Sequence, residues 1–483
     1  MRVNIGLLPL VIYLVAFSLT RVGESNELEE ITHAIDEIRK QHDVSATAVI
    51  IVSNQETLLQ HYSGVTDWSS MKPVNRDTYF RLGSITKVFT GLAALRAQQD
   101  GLLTLNAKVS EIVHDQVWSN RWSQTYPLRV EDLMEHTAGW FDMSGLEFNN
   151  NNPQPLSLEE ALSLRPESRV MQWPPGWHAE YSNTGPGVAA FVIERASKQS
   201  FDQYIIDRVF NPMGMASASL TQNDVIERTR ATGYNQDGRT EIPYWHIVYR
   251  ASGGLNIRPF EMARFLQMLL NYGELDGKPI FTRDQIERLQ TPSRSLAAQS
   301  GLSYGYGLGV YSSVHRGHVL YGHGGDADGY LAHFKYSRES GMAYLLVINA
   351  FNHTPLKAMQ NRLDDYLVKG LAKPVFPPTA DLDETVLSAY TGTYHLASVR
   401  FPRSDWEKKT LTVRLENGQL QTSQKPGFWK QFIAVNEKHF RRRNEPVATA
   451  AFIPLDDGRM VLQLSNGNYI RDEKIDLSSS TQR

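Results

Sequence analysis

The segment from Ser84 to Gly101 restricts the fold more than any other, because it is apolar on nearly every side of a helix. Ile85, Val88, Phe89, Leu92 and Leu95 recur at spacings of three and four. Gly91, Ala93 and Ala94 fill the turns between them, and Gly101 is placed to stop the helix. A helix with no polar face must be enclosed all round, so it belongs at the centre of a layered core. Its first turn sets Ser84 beside Lys87, since residues three apart are neighbours on a helix. A lysine held against apolar walls loses proton affinity by desolvation, as a general base for the serine hydroxyl requires. The Ser84 N–H points from the positive helix end, which suits a developing oxyanion. An N-capping serine followed by a lysine that reaches to solvent fits the same residues, so this segment alone leaves the choice open.

The rest of the chain supplies layers for such a helix. Asn26 to Gln41 carries Leu28, Ile31, Ile35 and Ile38 on one helical face, and Ala46–Val52 and Thr57–Tyr62 read as a β-hairpin. Strong strand patterns return only at Tyr330–Tyr336 and Met342–Asn349, followed by a helix over about Leu356–Leu371. Sequence that is mostly helix and loop lies between. The expected class is therefore α/β (α+β): over residues 26–372, an antiparallel sheet built from both ends and flanked by helices, with an all-helical insertion. Residues 373–381 open with Lys-Pro-Val-Phe-Pro-Pro-Thr, a stiff Pro-rich linker. Beyond it Leu411, Val413 and Leu415 alternate with polar residues, and Asn417-Gly418 supplies a hairpin turn. Short strands recur at Phe432–Val435, Ala448–Ile453 and Met460–Leu464. A small antiparallel β-barrel over 382–476 is expected, with 477–483 as a tail.

Composition removes several function classes. The chain has no cysteine, which excludes thiol catalysis, disulfides and Cys-ligated metals. A net charge of −3 gives no overall attraction for nucleic acid, and Arg441-Arg442-Arg443 reads as a solvated face. His315, His318 and His323 have no carboxylate or further histidine at a ligand spacing, so no metal site is expected. At the start, Arg2 precedes an apolar run from Ile5 to Leu19, shorter than the roughly 20 residues of a membrane helix. Residues 1–25 read as a signal peptide, placing the protein outside the cell or in a periplasm. Ser18-Leu19-Thr20 is a poor small-x-small cleavage site, so the other reading is an uncleaved N-terminal membrane anchor.

Two further elements carry chemistry. Tyr181-Ser182-Asn183 follows Pro174-Pro175-Gly176. A phenol near an ammonium can shuttle a proton, and an Asn amide can orient that ammonium and donate to a substrate carbonyl. A packed loop aromatic is the alternative for Tyr181. His323-Gly324-Gly325 lies immediately before a predicted strand. Its glycines let the backbone pass close to a substrate, and the Asp326 N–H can complete an oxyanion hole. Two look-alikes are set aside: Ser69-Ser70-Met71-Lys72 runs into Pro73, which opposes a helix, and His315-Arg316-Gly317 lacks a second glycine and a following strand.

Ser84-x-x-Lys87, Tyr181-x-Asn183 and His323-Gly-Gly325, in this order, resemble the motifs of the serine β-lactamase and penicillin-binding-protein superfamily. The likeness is greatest to the class C β-lactamase-like branch, which also holds D-alanyl-D-alanine carboxypeptidases, D-aminopeptidases and esterases. Thr78–Lys87 resembles that branch's nucleophile segment, and Leu133-Met134-Glu135-His136-Thr137-Ala138-Gly139 its Leu-Leu-x-His-Thr-Ser-Gly block. Ala251–Leu255 and Tyr304–Gly309 are also similar to family stretches. The resemblance implies Ser84 as nucleophile, Lys87 and Tyr181 sharing acid and base work, and Asn183 positioning Lys87 and substrate. It also implies Ser84 and Asp326 amides as the oxyanion hole, with His323, Gly324 and Gly325 at the substrate. No cofactor is implied, and the substrate is a small molecule or short peptide. Where true class C lactamases carry Lys-Thr-Gly, His323 is mostly neutral at pH 7 and Gly324 lacks the hydroxyl. Ester or amide cleavage by a peptidase or esterase is therefore expected over β-lactam hydrolysis. Tyr390-Thr391-Gly392-Thr393-Tyr394 resembles the opening of a lipocalin-like barrel found in some peptidase members. Two other function classes are a catalytically silent penicillin-binding-like protein with a binding or structural role, and a ligand carrier acting through the barrel.

Overall fold

A computed structural model describes residues 26–114, 118–402, 404–425 and 427–471. The signal segment expected at 1–25 and the tail expected at 477–483 lie outside the described residues. Helix α1 covers residues 26–41, and strands β1 (Ala46–Ser53) and β2 (Thr57–Gly64) form the hairpin. The sheet is completed from far along the chain by β3 (Tyr311–His315), β4 (His318–Ala327), β5 (Tyr330–Ser337) and β6 (Met342–Ile348). The result is a six-stranded antiparallel sheet in the order β2-β1-β6-β5-β4-β3.

The two-residue period of β1 sorts its side chains between two cores. Ala46, Ala48, Ile50 and Val52 join Val88, Phe89 and Leu92 of the central helix α2 (Thr86–Gln99). Val49 and Ile51 face the other way, onto Ile35 of α1 and Leu363 and Leu367 of the helix His353–Val368. Both faces are covered, which is why β1 is buried from Ala46 to Val52. Helix α2 is enclosed as its sequence demands: every residue from Thr86 to Leu95 is buried. A methyl group on Gly91 would lie 1.8 Å from the Leu308 carbonyl oxygen, so only glycine admits that neighbour. Gly101 (φ +72°) ends the helix in the left-handed region.

Two expectations need correction. Strands β3 and β4 were not anticipated, and His323-Gly324-Gly325 lies inside β4 rather than before the first returning strand. Glycine is a poor strand former, and three of them between Gly322 and Gly325 dilute the alternation by which a strand is read. The β3–β4 turn is Arg316-Gly317, both left-handed (φ +48° and +84°), and His315 bonds Asp365 there at 2.6 Å. The insertion is also not wholly helical. It carries two-residue ladders such as Gly233–Tyr234 with Glu241–Ile242, and Asn256–Ile257 pairs back to Phe80–Arg81.

The C-terminal strands form a nine-stranded antiparallel meander. Its two outermost strands are Lys430–Gln431 and Ile433–Ala434, separated only by Phe432, so one short stretch nearly closes the barrel. The Asn417-Gly418 turn is left-handed at both residues (φ +51° and +71°), as predicted. Strand Gly392–Leu396 lies at the seam with Gly467–Arg471. The barrel packs on the first unit through Ala451, Ile453 and Val461 against Ala297 and Leu302. It is pinned there by Asn468 Nδ2, which donates to the Ala179 carbonyl at 3.0 Å.

Candidate active site

Ser84 sits in a single tight turn, Gly83–Ile85, immediately before α2. Thr86 locks this turn: its Oγ1 donates to the Gly83 carbonyl (2.6 Å) and accepts from the Leu255 N–H (3.0 Å). The turn rests against β4 where that strand has lost its outer neighbour, since β3 pairs only as far as Gly322. The approach is close enough to demand glycine on both sides. A methyl on Gly83 (φ +51°) would meet Asp326 backbone nitrogen at 2.8 Å, and one on Gly325 would lie 1.9 Å from the Leu82 carbonyl oxygen. The side-chain face of Gly325 is thus taken up by the turn that carries Ser84. Gly324, by contrast, lines the cavity.

Lys87 is fully enclosed, and its Nζ has three oxygen partners: Ser84 Oγ (3.0 Å), Asn183 Oδ1 (2.7 Å) and the Ser252 carbonyl (2.7 Å). Burial is the main cause that pushes its pKa down to about 7, with Asp142 working in the other direction and Arg400 adding to the fall. At that value the neutral amine is well populated at neutral pH. Its two N–H groups can then serve Asn183 and Ser252, which leaves its lone pair open to a hydrogen bond from the Ser84 hydroxyl.

Tyr181 packs between the His136 ring (4.4 Å between centroids) and Lys87 Nζ (4.8 Å from the ring centroid), and it lines the same cavity as Ser84. Burial pushes its pKa up, so the phenol stays protonated. Asn183 directly precedes the helix Thr184–Ser197 and is gripped by Asp142 through its N–H (2.6 Å) and its Nδ2 (3.1 Å). His323 accepts from Tyr306 OH at Nε2 (2.7 Å), while Nδ1–H donates to the Gly324 carbonyl. Burial, then Lys87, pushes His323 down to about 3, so it is neutral with both nitrogens occupied. His136 is likewise held neutral by burial.

The sequence-derived residues therefore converge. Ser84, Tyr181, Asn183, His323, Gly324 and Asp326 line one cavity of about 650 Å³, floored by Lys87, while Gly325 braces it from behind. The family-like stretches surround α2 as well: Ala251 O accepts from Thr90 at 2.7 Å, and Tyr306 holds His323. The set-aside Ser69 turns out to belong to an exposed turn around Asp67, whose Oδ1 accepts from Ser69 Oγ at 2.6 Å. Three contributors were missed: Asp142, the Ser252 carbonyl and Arg400. Arg400 comes from the barrel, 258 positions from its Asp142 partner, and no local pattern could have joined them.

A serine and a buried lysine one turn apart, beside the open edge of an antiparallel strand, define the class: an active-site-serine hydrolase. The particular family follows from comparison with known proteins. The family described as Beta-lactamase matches residues 31–369, and the chain belongs to it. The β-lactamase of Yersinia enterocolitica is 23% identical over 294 residues, covering 61% of this chain and 71% of that protein. Penicillin-binding protein 4* of Bacillus subtilis (strain 168) is 22% identical over 436 residues, covering 85% of this chain and 92% of its own. Among solved structures, the octameric penicillin-binding protein homologue from Pyrococcus abyssi superposes with a TM-score of 0.61 at 20% identity. It spans 92% of this chain and all of that one, so the fold likeness includes most of the C-terminal barrel.

Proposed function

We propose that the protein cleaves an ester or amide bond through an acyl-enzyme on Ser84, as a peptidase or esterase and not as a dedicated β-lactamase. The observation that carries this reading is the Lys87 environment, in which a buried amine near its pKa is aimed at the serine hydroxyl. In the first step Ser84 Oγ–H gives its proton to Lys87 Nζ while Oγ bonds to the substrate carbonyl carbon. The carbonyl oxygen becomes an oxyanion facing the Ser84 and Asp326 N–H groups. The tetrahedral centre collapses by breaking the bond to the leaving group, which takes a proton through Tyr181 O–H, replenished from the Lys87 ammonium. Water then attacks the acyl carbon by the reverse proton path and frees Ser84. Because burial raises Tyr181 and lowers Lys87, Lys87 is the better first base.

A fluorophosphonate probe followed by intact mass is expected to give one adduct on the wild-type chain and none on Ser84→Ala. An adduct that survives the substitution, or none under any condition on wild type, would favour the silent binding protein instead. In a substrate panel, short-chain p-nitrophenyl esters are expected to turn over and nitrocefin weakly or not at all, because His323 is neutral with both nitrogens taken. Nitrocefin turnover matching the best ester would overturn the peptidase or esterase reading.

The rate should also report the base. The neutral form of Lys87 is the active one, so kcat/KM is expected to rise with pH through about 7 and level off above it. Burial also pushes the neighbouring Glu180 up to about 7, so it is the competing source of such a limb. A pH–rate profile of Glu180→Gln separates the two: the limb persists if Lys87 is responsible and disappears if it is not.

A further inference from the structure

The β4 edge carries no cation where its sequence has His323, yet the cavity does contain a permanent one. Arg400 enters it from the loop after barrel strand Gly392–Leu396 and is clamped twice to the same residue. Its carbonyl accepts from the Asp142 N–H (2.8 Å), and its Nε donates to Asp142 Oδ2 (2.8 Å). The guanidinium carbon lies 4.8 Å from the Tyr181 ring centroid, so ring and carboxylate together fix the plane of the group. Asp142, with its side chain fully buried, is already saturated: Oδ1 accepts from Met143 N–H and Asn183 N–H, and Oδ2 from Asn183 Nδ2 and Arg400 Nε. That arrangement uses only one of the five donors on the guanidinium. Nη1 and Nη2 make no hydrogen bond to any described residue, and the side chain remains 39% exposed at the cavity wall.

A structural arginine would spend its fork on the carboxylate it serves. This one leaves its Nη edge, the geometry that receives a planar anion in two parallel hydrogen bonds, unspent on a side chain that lines the Ser84 cavity. It stacks on Tyr181, the group that serves the leaving group, so the anion it receives is on that side of the scissile bond. We propose that Arg400, delivered by the C-terminal barrel, is the specificity-determining anchor for a carboxylate on the leaving-group side of the substrate, which makes the barrel part of the active site. This rests on the acyl-enzyme reading of Ser84.

The test uses two thioesters of benzoylglycine on the full chain, one with thioglycolic acid and one with thioglycolamide as leaving thiol. They share the scissile bond and differ only in carboxylate against carboxamide, and a thiol reagent reads both. Wild type is expected to favour the carboxylate at least tenfold in kcat/KM. Arg400→Gln is expected to bring that ratio close to one, through a rise in KM for the carboxylate substrate, and Arg400→Lys to retain part of it. A structural role would instead lower both substrates alike and keep the ratio. A wild-type ratio near one, or a ratio unchanged in both variants, would overturn the proposal while leaving the hydrolase reading intact. No turnover of either thioester while the fluorophosphonate still labels Ser84 would overturn it too. No turnover together with no labelling would sink the hydrolase reading itself.

Discussion

Replacing Lys87 by methionine is expected to lower kcat/KM on an activated ester by about 10³-fold or more, without unfolding the protein. Methionine fills most of the lysine's volume, and its neighbours along α2, Val88 and Phe89, are core residues. The variant leaves Asn183 Oδ1 and the Ser252 carbonyl without their donor, a cost of about 1–3 kcal/mol each that does not depend on pH. Against it stands a term that does. Folding shifts the Lys87 pKa from 10.5 to about 7, so the folded state penalises the ammonium. That penalty is at full strength below pH 7, shrinks as pH rises from about 7 towards 10.5, and is gone above it. The melting temperature of Lys87→Met relative to wild type should therefore be most favourable near pH 6 and fall by pH 10. Thermal melts at the two pH values, together with ester kinetics, check both halves. An equal difference at pH 6 and pH 10 would mean that Lys87 is not strained by burial, and retained esterase activity would mean that it is not the base.

What the sequence made legible follows from how local each signal was. Helix α2 could be read because enclosure leaves a mark on every one of its residues. The order Ser84, Tyr181, His323 could be read because each sits in a short pattern of its own. Strand β4 escaped because its glycines, which the nucleophile turn requires at Gly325, are the residues that erase a strand's alternation. The same pressure that builds the site hid the element carrying it. Asp142 and Arg400 escaped for a different reason: their pairing exists only after the barrel docks, and Ser252 acts through a carbonyl that any residue would present. The departure at His323 was legible as a missing cation. Where a cation enters instead required the assembled structure.

The two glycines of the His-Gly-Gly motif looked equivalent in sequence and should respond unequally to the same substitution. A methyl on Gly325 points at the Leu82 carbonyl oxygen at 1.9 Å, with the Ile85 nitrogen at 3.2 Å, so backbone on one side of the contact must move. Overpacking of this kind costs about 1–3 kcal/mol or somewhat more. The movement separates β4 from the turn that holds Ser84, and a displacement of about 1 Å at a reacting group can cost about 10²-fold in rate. Gly325→Ala is therefore expected to melt several degrees lower and to be acylated by a fluorophosphonate about 10²-fold more slowly. A methyl on Gly324 meets only the His333 ring at 3.2 Å and the Tyr311 hydroxyl at 3.6 Å, both side chains that can shift by a few tenths of an ångström. Gly324→Ala should thus melt close to wild type and register mainly as a change in KM, because its methyl adds to the wall of the substrate cavity. Equal melting temperatures and equal acylation rates for the two variants would show that the close approach of β4 to the nucleophile turn does not control the site.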